Sequence, residues 1–287
     1  MDTDLLEQFL RDNEGTVLFS GMIAALLTAA ILEIFYPRRK EPANNNARWS
    51  NNIGLTLINE ASVYALTVFV TVAIAWWGDE EQIGLLRSVE IGFLPTLLLA
   101  ILAFEFISYW FHRALHAFPW LWRLHAVHHS DTELDFTTTY RNHPVELYVN
   151  APLTIPLILL LGFPVPVVVA YQLIKTSISV FAHSNVRIPR LVDNILRKVI
   201  VTPDYHHLHH SSDRQFTDSN FGASFSVYDH LFGTATRKPY EEHETMELGL
   251  TYFRDPADSR LDRLLLMPFV WRARENQPEN SGQPELS

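Results

Sequence analysis

The chain has 287 residues and a formal charge of −10 with a sequence pI of about 5.7; it is 48% apolar, 12% aromatic and only 19% charged. So low a charged fraction marks a chain that meets lipid, and the acidic balance excludes a nucleic-acid binder, which needs a basic stripe to displace counterions from phosphates. Cysteine is absent, which excludes disulfides, thiolate zinc sites, cysteine-held iron–sulfur clusters and a cysteine nucleophile, so any metal chemistry falls to the thirteen histidines.

The opening stretch "MDTDLLEQFLRDNEG" is acidic where a signal peptide is basic, so the first apolar run is expected to stay as an anchor. A membrane span takes about 20 mostly apolar residues. Thr16 to Tyr36, Ile53 to Trp77 and Ile91 to Phe111 meet that requirement, with Glu33, Glu60 and Glu105 as their charges. Val145 to Phe181 is also apolar but is broken by Pro152, Pro156, Gly162, Pro164 and Pro166. It reads as a helical hairpin with its "GFPVP" turn in or near the far leaflet, or as two short spans.

Lysine and arginine counts in the short loops set the orientation. "PRRKEPANNNARW" carries Arg38, Arg39, Lys40 and Arg48, whereas "GDEEQIGLLRSVE" has one arginine among four acids. The first loop is therefore expected on the cytoplasmic side and the second outside. The third span then delivers His112 and every later histidine to the cytoplasmic face, and the hairpin returns His183 to it. Further on, Arg260 to Trp271, "RLDRLLLMPFVW", suits either a helix lying in the interface or one packed on the cytosolic domain. The tail "ENQPENSGQPELS" reads as disordered. The expected fold is an all-α integral membrane protein of about four transmembrane helices, the last pair a hairpin, with a cytosolic, helical, histidine-rich cap holding a dinuclear metal site. The expected divisions are an acidic segment with two spans over 1–90, a catalytic region over 91–240, and an interfacial segment with a disordered tail over 241–287.

His112 and His116 stand four apart on the continuation of the third span, so their imidazoles share a helix face. "HAVHH" adds His125, His128 and His129, and "HHLHH" supplies His206, His209 and His210 in the same H-x-x-H-H form. Clustered imidazoles repel one another if protonated and waste hydrogen-bonding capacity if buried neutral. A divalent metal resolves both difficulties, and so many ligands suit two ions better than one. His183 in "FAHSN" is a further candidate, and His143 in "RNHPVE" either joins the ligands or caps the hairpin entry. His207 is expected to face away from the site, and His230 and His243 to be structural. Glu105, Asp131, Asp135, Glu146, Asp204, Asp213 and Asp229 are near enough in sequence to orient ligating rings.

The boxes "HRALH", "HAVHH" and "HHLHH", with "LWRLHAVHHS", "RNHPVE", "FAHSN" and "DHLFGT", resemble the fatty acid hydroxylase/sterol desaturase superfamily of membrane di-metal enzymes. The resemblance covers roughly Phe93 to Thr236 and is closest to the sterol-desaturase-like and alkylglycerol-monooxygenase-like branches. It implies ligand roles for His112, His116, His125, His128, His129, His183, His206, His209 and His210. Some members have a full H-x-x-x-H box where this chain has "SVFAH", with Ser179 in the first position. Either His143 substitutes there, or one metal has a more open coordination sphere.

The same resemblance implies two Fe ions, O2 as co-substrate, and hydroxylation or desaturation of a lipid C–H bond, the lipid being a sterol, a fatty acyl chain or an ether lipid. All-histidine ligation also accommodates zinc, so iron rests on the family. The aromatic stretch Phe111 to Trp122 suits an interfacial belt beside a lateral entrance for lipid. No fused haem-binding or flavin-binding motif is evident, so electrons are expected from a separate reductase, cytochrome b5-like or ferredoxin-like protein. Two other readings compete. A metal transporter or storage protein would carry ligands at mid-membrane rather than in boxes at one boundary, and a zinc hydrolase would need fewer ligands and a carboxylate base.

Overall fold

In the computed structural model, residues 3–40, 45–89 and 91–275 are described; the expected disordered tail falls almost wholly outside them. The described residues are helical, with three isolated β-bridges and no strand. A short amphipathic helix, α1 (Thr3–Asp12), leads into α2 (Glu14–Phe35). Helix α3 (Asn46–Asn59) continues through a π turn at Glu60–Tyr64 into α4 (Ala65–Glu80). Four segments are long and apolar enough to cross a membrane: Glu14–Phe35, α5 (Phe93–Ala117), Pro144–Leu161, and α9 (Val165–His183). The third comprises α7 (Pro144–Asn150) and α8 (Ile155–Leu161). The expected span at 53–77 falls on α3, the π turn and α4 and is not among these four.

The hairpin turn is set by backbone chemistry. Gly162 ends α8 in the left-handed region (φ 74°), and Pro164 and Pro166 open α9, where a missing N–H costs nothing. The turn packs against the loop after α4, because a Cβ on Gly84 would stand 2.3 Å from the Gly162 Cα. Asp79 binds the same end of the bundle together, pairing with Arg11 and Arg87 and accepting from the Val165 N–H at 3.4 Å. Phe104, Phe163, Val168 and Tyr171 are buried between α5 and α9.

At the other end α5 stops because Pro119 forces Phe118 into extended backbone (φ −101°, ψ 119°) and then occupies the first turn of α6 (Pro119–His129). The short helices α10 (Arg190–Leu196), α11 (Pro203–His209), α12 (Arg214–Thr217) and α13 (Val227–Phe232) complete a cap over this end. The two arginines that frame the first loop are part of the cap rather than free charges. Arg38 is fully buried on Asp204 at 2.9 Å, and Arg48 pairs with Asp131 at 2.7 Å and with Asp135. Arg38, Arg48 and the histidine boxes therefore lie at one end of the bundle.

The last helix, α14 (Leu261–Glu275), packs one face on the cap. Leu264, Met267 and Trp271 are buried against Ala126, Val127 and Leu55, while Leu266, Phe269 and Val270 remain exposed on another face.

Arg141 is the buried tie between α3 and α6. Its guanidinium donates to Val127 O at 3.0 Å, Asn52 Oδ1 at 2.7 Å and Ser130 Oγ at 2.8 Å. Removing one partner from such a network leaves polar groups buried without compensation, so Arg141→Met is expected to cost about 3 kcal/mol. Thermal unfolding of the detergent-solubilised variant checks this: the midpoint falls while membrane insertion persists.

Candidate metal centre

Nine histidines converge at the cap end of α5 and α9 in two groups. The first holds His112, His116, His125, His129 and His209; the second holds His128, His183, His206 and His210. Within each group the potential ligand atoms all lie within 4.8 Å of one another. Each H-x-x-H-H box is divided between the groups. His125 and His129 project to the first and His128 to the second, whereas His206 and His210 project to the second and His209 to the first. Helical geometry explains the division: residues four apart share a face, and the residue between them points to its flank. The two groups touch, with the His129 and His210 rings stacked at 4.4 Å.

The proton positions follow from the outer partners of the rings. His112 donates from Nδ1 to Phe221 O at 2.8 Å, His209 to Ser219 O at 2.6 Å, and His183 to Ser179 O at 2.8 Å. His125 donates from Nδ1 to Glu146 Oε1 at 3.1 Å and His116 to Asp218 Oδ1 at 3.2 Å. A carbonyl or carboxylate only accepts, so each of these rings places a proton on Nδ1 and leaves Nε2 free to offer its lone pair to a metal. Yet the Nε2 of His112 stands 3.0 Å from that of His209 and 3.1 Å from that of His125. In the second group His183 Nε2 is 2.9 Å from His206 Nε2 and 3.1 Å from His128 Nε2. The Nε2 atoms of His116 and His129 are buried without a partner. In the first group these lone pairs turn on one another and call for a cation between them, and bonds of about 2.1 Å from imidazole nitrogen to a divalent metal fit such spacings. In the second the His183 Nε2 is held bare, while the Nδ1 atoms of His128, His206 and His210 have no partner. The donor set therefore fits two metal ions.

Burial, reinforced by the neighbouring imidazoles, holds His128, His129, His206 and His210 well below the usual histidine range. Burial likewise pushes His209 down to about 3 and His207 to about 4. All are neutral near pH 7, as metal ligation requires.

His143 is not brought to either group. Its Nε2 faces Leu265 O at 3.2 Å and its Nδ1 accepts from the Val145 N–H at 3.2 Å, so it caps the entry to α7. It does not stand in for Ser179, and the second group remains one imidazole smaller than the first. His207 faces His183 O at 3.3 Å outside both groups, and His230 and His243 also lie outside them.

Of the carboxylates singled out in sequence, Glu146 reaches a ring directly. Asp229 acts one step removed, accepting from the Phe221 and Gly222 N–H groups at 2.8 Å each, and so holds the carbonyl that receives His112. Asp131 and Asp135 bind Arg48, Asp204 binds Arg38, and Asp213 caps α12. Burial alone would push Asp131 up, but Arg48 and Arg141 outweigh it and hold the carboxyl below its ordinary range. Sequence reasoning missed Asp218, Arg48, Asn52 and Arg141. Asp218 lies 102 residues from His116 and carries no local signal, whereas the buried Arg141 sits inside the quoted "RNHPVE" stretch.

A cavity of about 200 Å³ opens against both groups, with His112, His125, His128, His183 and His206 in its wall. Ser179 and Lys175 of α9 also line it.

Residues 97–234 match the family model for fatty acid hydroxylase. Among characterised proteins, the chain is 28% identical over 155 residues to alkylglycerol monooxygenase of Homo sapiens, covering 53% of this chain and 32% of that protein. It is 28% identical over 240 residues to an ornithine lipid hydroxylase of Rhizobium tropici, covering 80% and 70%. A very-long-chain aldehyde decarbonylase of Oryza sativa subsp. indica is 28% identical over 231 residues, covering 77% and 33%. The chain thus spans about a third of the first and third of these relatives and 70% of the second. No solved structure matches the chain.

The depressed histidines give a pH dependence of definite sign. In the unfolded chain they take up protons near pH 6.5, whereas in the metal-free fold they resist to far lower pH. The unfolded state then binds more protons, so the chelator-stripped protein loses stability as pH falls from about 6.5 towards 4, and bound metal opposes the loss. Unfolding midpoints of stripped and metal-loaded protein measured across pH 8 to 5 are expected to diverge on the acid side.

Proposed function

Residues 97–234 are a fatty acid hydroxylase domain, which makes the chain a member of the fatty acid hydroxylase/sterol desaturase superfamily; on that premise we propose that it is a membrane-bound di-iron oxygenase of lipids. The observation that carries the proposal is the pair of touching imidazole groups, with bare Nε2 atoms facing inward, at one end of a bundle of apolar helices. The names of its relatives, a monooxygenase and a hydroxylase, favour a redox-active metal over zinc.

On this reading His112, His116, His125, His129 and His209 hold one iron and His128, His183, His206 and His210 hold the other. Bound iron would supply activation of O2, one oxygen atom entering a lipid C–H bond as hydroxyl and the other leaving as water with electrons from a separate donor protein and protons from solvent. The chain's own residues do the rest. Glu146, Asp218 and the carbonyls of Phe221, Ser219 and Ser179 keep the Nδ1 protons outward and the rings fixed. Ser179 lines the cavity one turn before His183, and the second group has four imidazoles against five in the first, which supports a more open second site. Apolar helix surfaces at the bundle offer lipid a lateral approach. Arg38 and Arg48, from the basic stretch after α2, share the histidines' end, which by the positive-inside rule supports a cytoplasmic placement of that end.

Elemental analysis of protein expressed with iron supplied is expected to give two irons per chain, with His128→Ala and His209→Ala each losing about one because they belong to different groups. Both variants insert in the membrane but lose oxygen-dependent lipid turnover. Glu146→Gln is expected to weaken metal affinity or turnover by roughly 10- to 100-fold, since it orients His125 without reaching the metal. Zinc that iron does not displace would overturn the oxygenase reading.

A further inference from the structure

Lys175 is a charged residue in the middle of the apolar helix α9. Intramembrane lysines are costly and mark substrate or ion sites. Lys175, Ser179 and His183 are spaced four residues apart on one helix face, and all three line the cavity beside the histidines. Among the described residues Lys175 forms no hydrogen bond or ion pair. Glu105 is the charge that acts on it. That carboxylate is already engaged, accepting from Tyr171 Oη and from the Ser224 and Phe225 N–H groups at 3.1, 3.1 and 3.2 Å.

Two further polar atoms in the same wall lack partners. Asn59 Oδ1 and Glu146 Oε2 are both buried acceptors without a donor, in residues 2% and 5% exposed. Buried polar groups are normally satisfied, so their shared cavity is shaped for a ligand that brings an anion to Lys175 and N–H or O–H groups to the acceptors. Beyond Thr176, which borders both spaces, lies a second cavity of about 350 Å³ between α2, α4 and α9, with Leu18, Phe19, Met22, Phe69 and Val72 in its wall. Glu14, Glu60 and Gln172 also border it, but its wall is mostly apolar and suits a hydrocarbon chain.

We propose that Lys175 binds the anionic group, a carboxylate or a phosphate, of a lipid whose head also bears hydrogen-bond donors and whose chain runs past Thr176 into the apolar cavity. This rests on the oxygenase reading for its role as substrate selector, but the binding itself needs no metal. Sterols and neutral ether lipids leave the lysine uncompensated and are disfavoured.

The test is equilibrium binding of N-palmitoylglycine and of its methyl ester to the full-length protein in dodecyl maltoside. The two probes share chain and amide N–H and differ in charge. Wild type is expected to bind the acid about tenfold or more tightly, the range of a hydrogen bond to a charged group. Lys175→Gln is expected to erase that preference while leaving ester affinity unchanged, and Lys175→Arg to retain it. Equal binding of the two probes by wild type, which needs no variant to fold, would overturn the proposal, as would a preference that survives in Lys175→Gln. Displacement of the acid by inorganic phosphate at the probe's own concentration would assign the site to a free anion and overturn the lipid part. Metal content is read separately on the same preparation, so a protein without iron but with intact acid preference sinks the oxygenase reading alone.

Discussion

Nine imidazoles crowd into two touching groups at one end of the bundle, and much of the cap serves to hold their rings in place. Bare Nε2 atoms 3.0 to 3.1 Å apart, as around His112, repel, so these rings stay in place only because their Nδ1 atoms are fixed. In the first group this is done by two carboxylates, Glu146 and Asp218, and by two backbone carbonyls, those of Phe221 and Ser219. The carbonyls are themselves placed by further bonds. Asp229 holds Phe221 and Gly222, and Asn220 donates to Tyr205 O at 3.0 Å to tie the same loop to α11. A metal converts this arrangement from a repulsive one into a cohesive one, which couples ion binding to the stability of the cap.

The two ends of the bundle use charge differently. At the turn end, Asp79 gathers Arg11, Arg87 and the start of α9. At the cap end, Arg38, Arg48 and Arg141 are buried on Asp204, on Asp131 and Asp135, and on Asn52 and Ser130. Buried ion pairs of this kind contribute less to net stability than to position, because desolvation offsets much of their attraction. Here they register α3 and the first loop against α6 and α11, the two helices that carry the divided histidine boxes. The metal site thereby becomes a joint between an apolar bundle and a polar cap.

The asymmetry between the groups has a chemical consequence. Five imidazoles surround one site and four the other, with Ser179 on the cavity side of the smaller group. The same helix, α9, carries the serine, a histidine of the smaller group and the cavity lysine at intervals of four residues. A single helix face thus carries a histidine of the smaller group and the serine and lysine of the cavity wall beside it.

The sequence by itself determined the helical class, the apolar runs at 16–36, 91–111 and 145–181 and the boxes that matter, because periodicity, length and i,i+4 spacing are local properties that survive in one dimension. The break between α5 and α6 was implicit in Phe118–Pro119, and the hairpin turn in Gly162 and Pro164, since both act through their own backbone. Ser179 was legible as a departure, but which site it opens was not. Only the tertiary structure decided that each H-x-x-H-H box serves two groups, that His143 stands apart on Leu265 O, and that Asp218 rather than Asp204 or Asp213 reaches a ring. Those outcomes depend on how α6 and α11 face each other across more than 70 residues of intervening chain, an orientation set by Arg38, Arg48 and Arg141 in buried contacts that no local pattern announces.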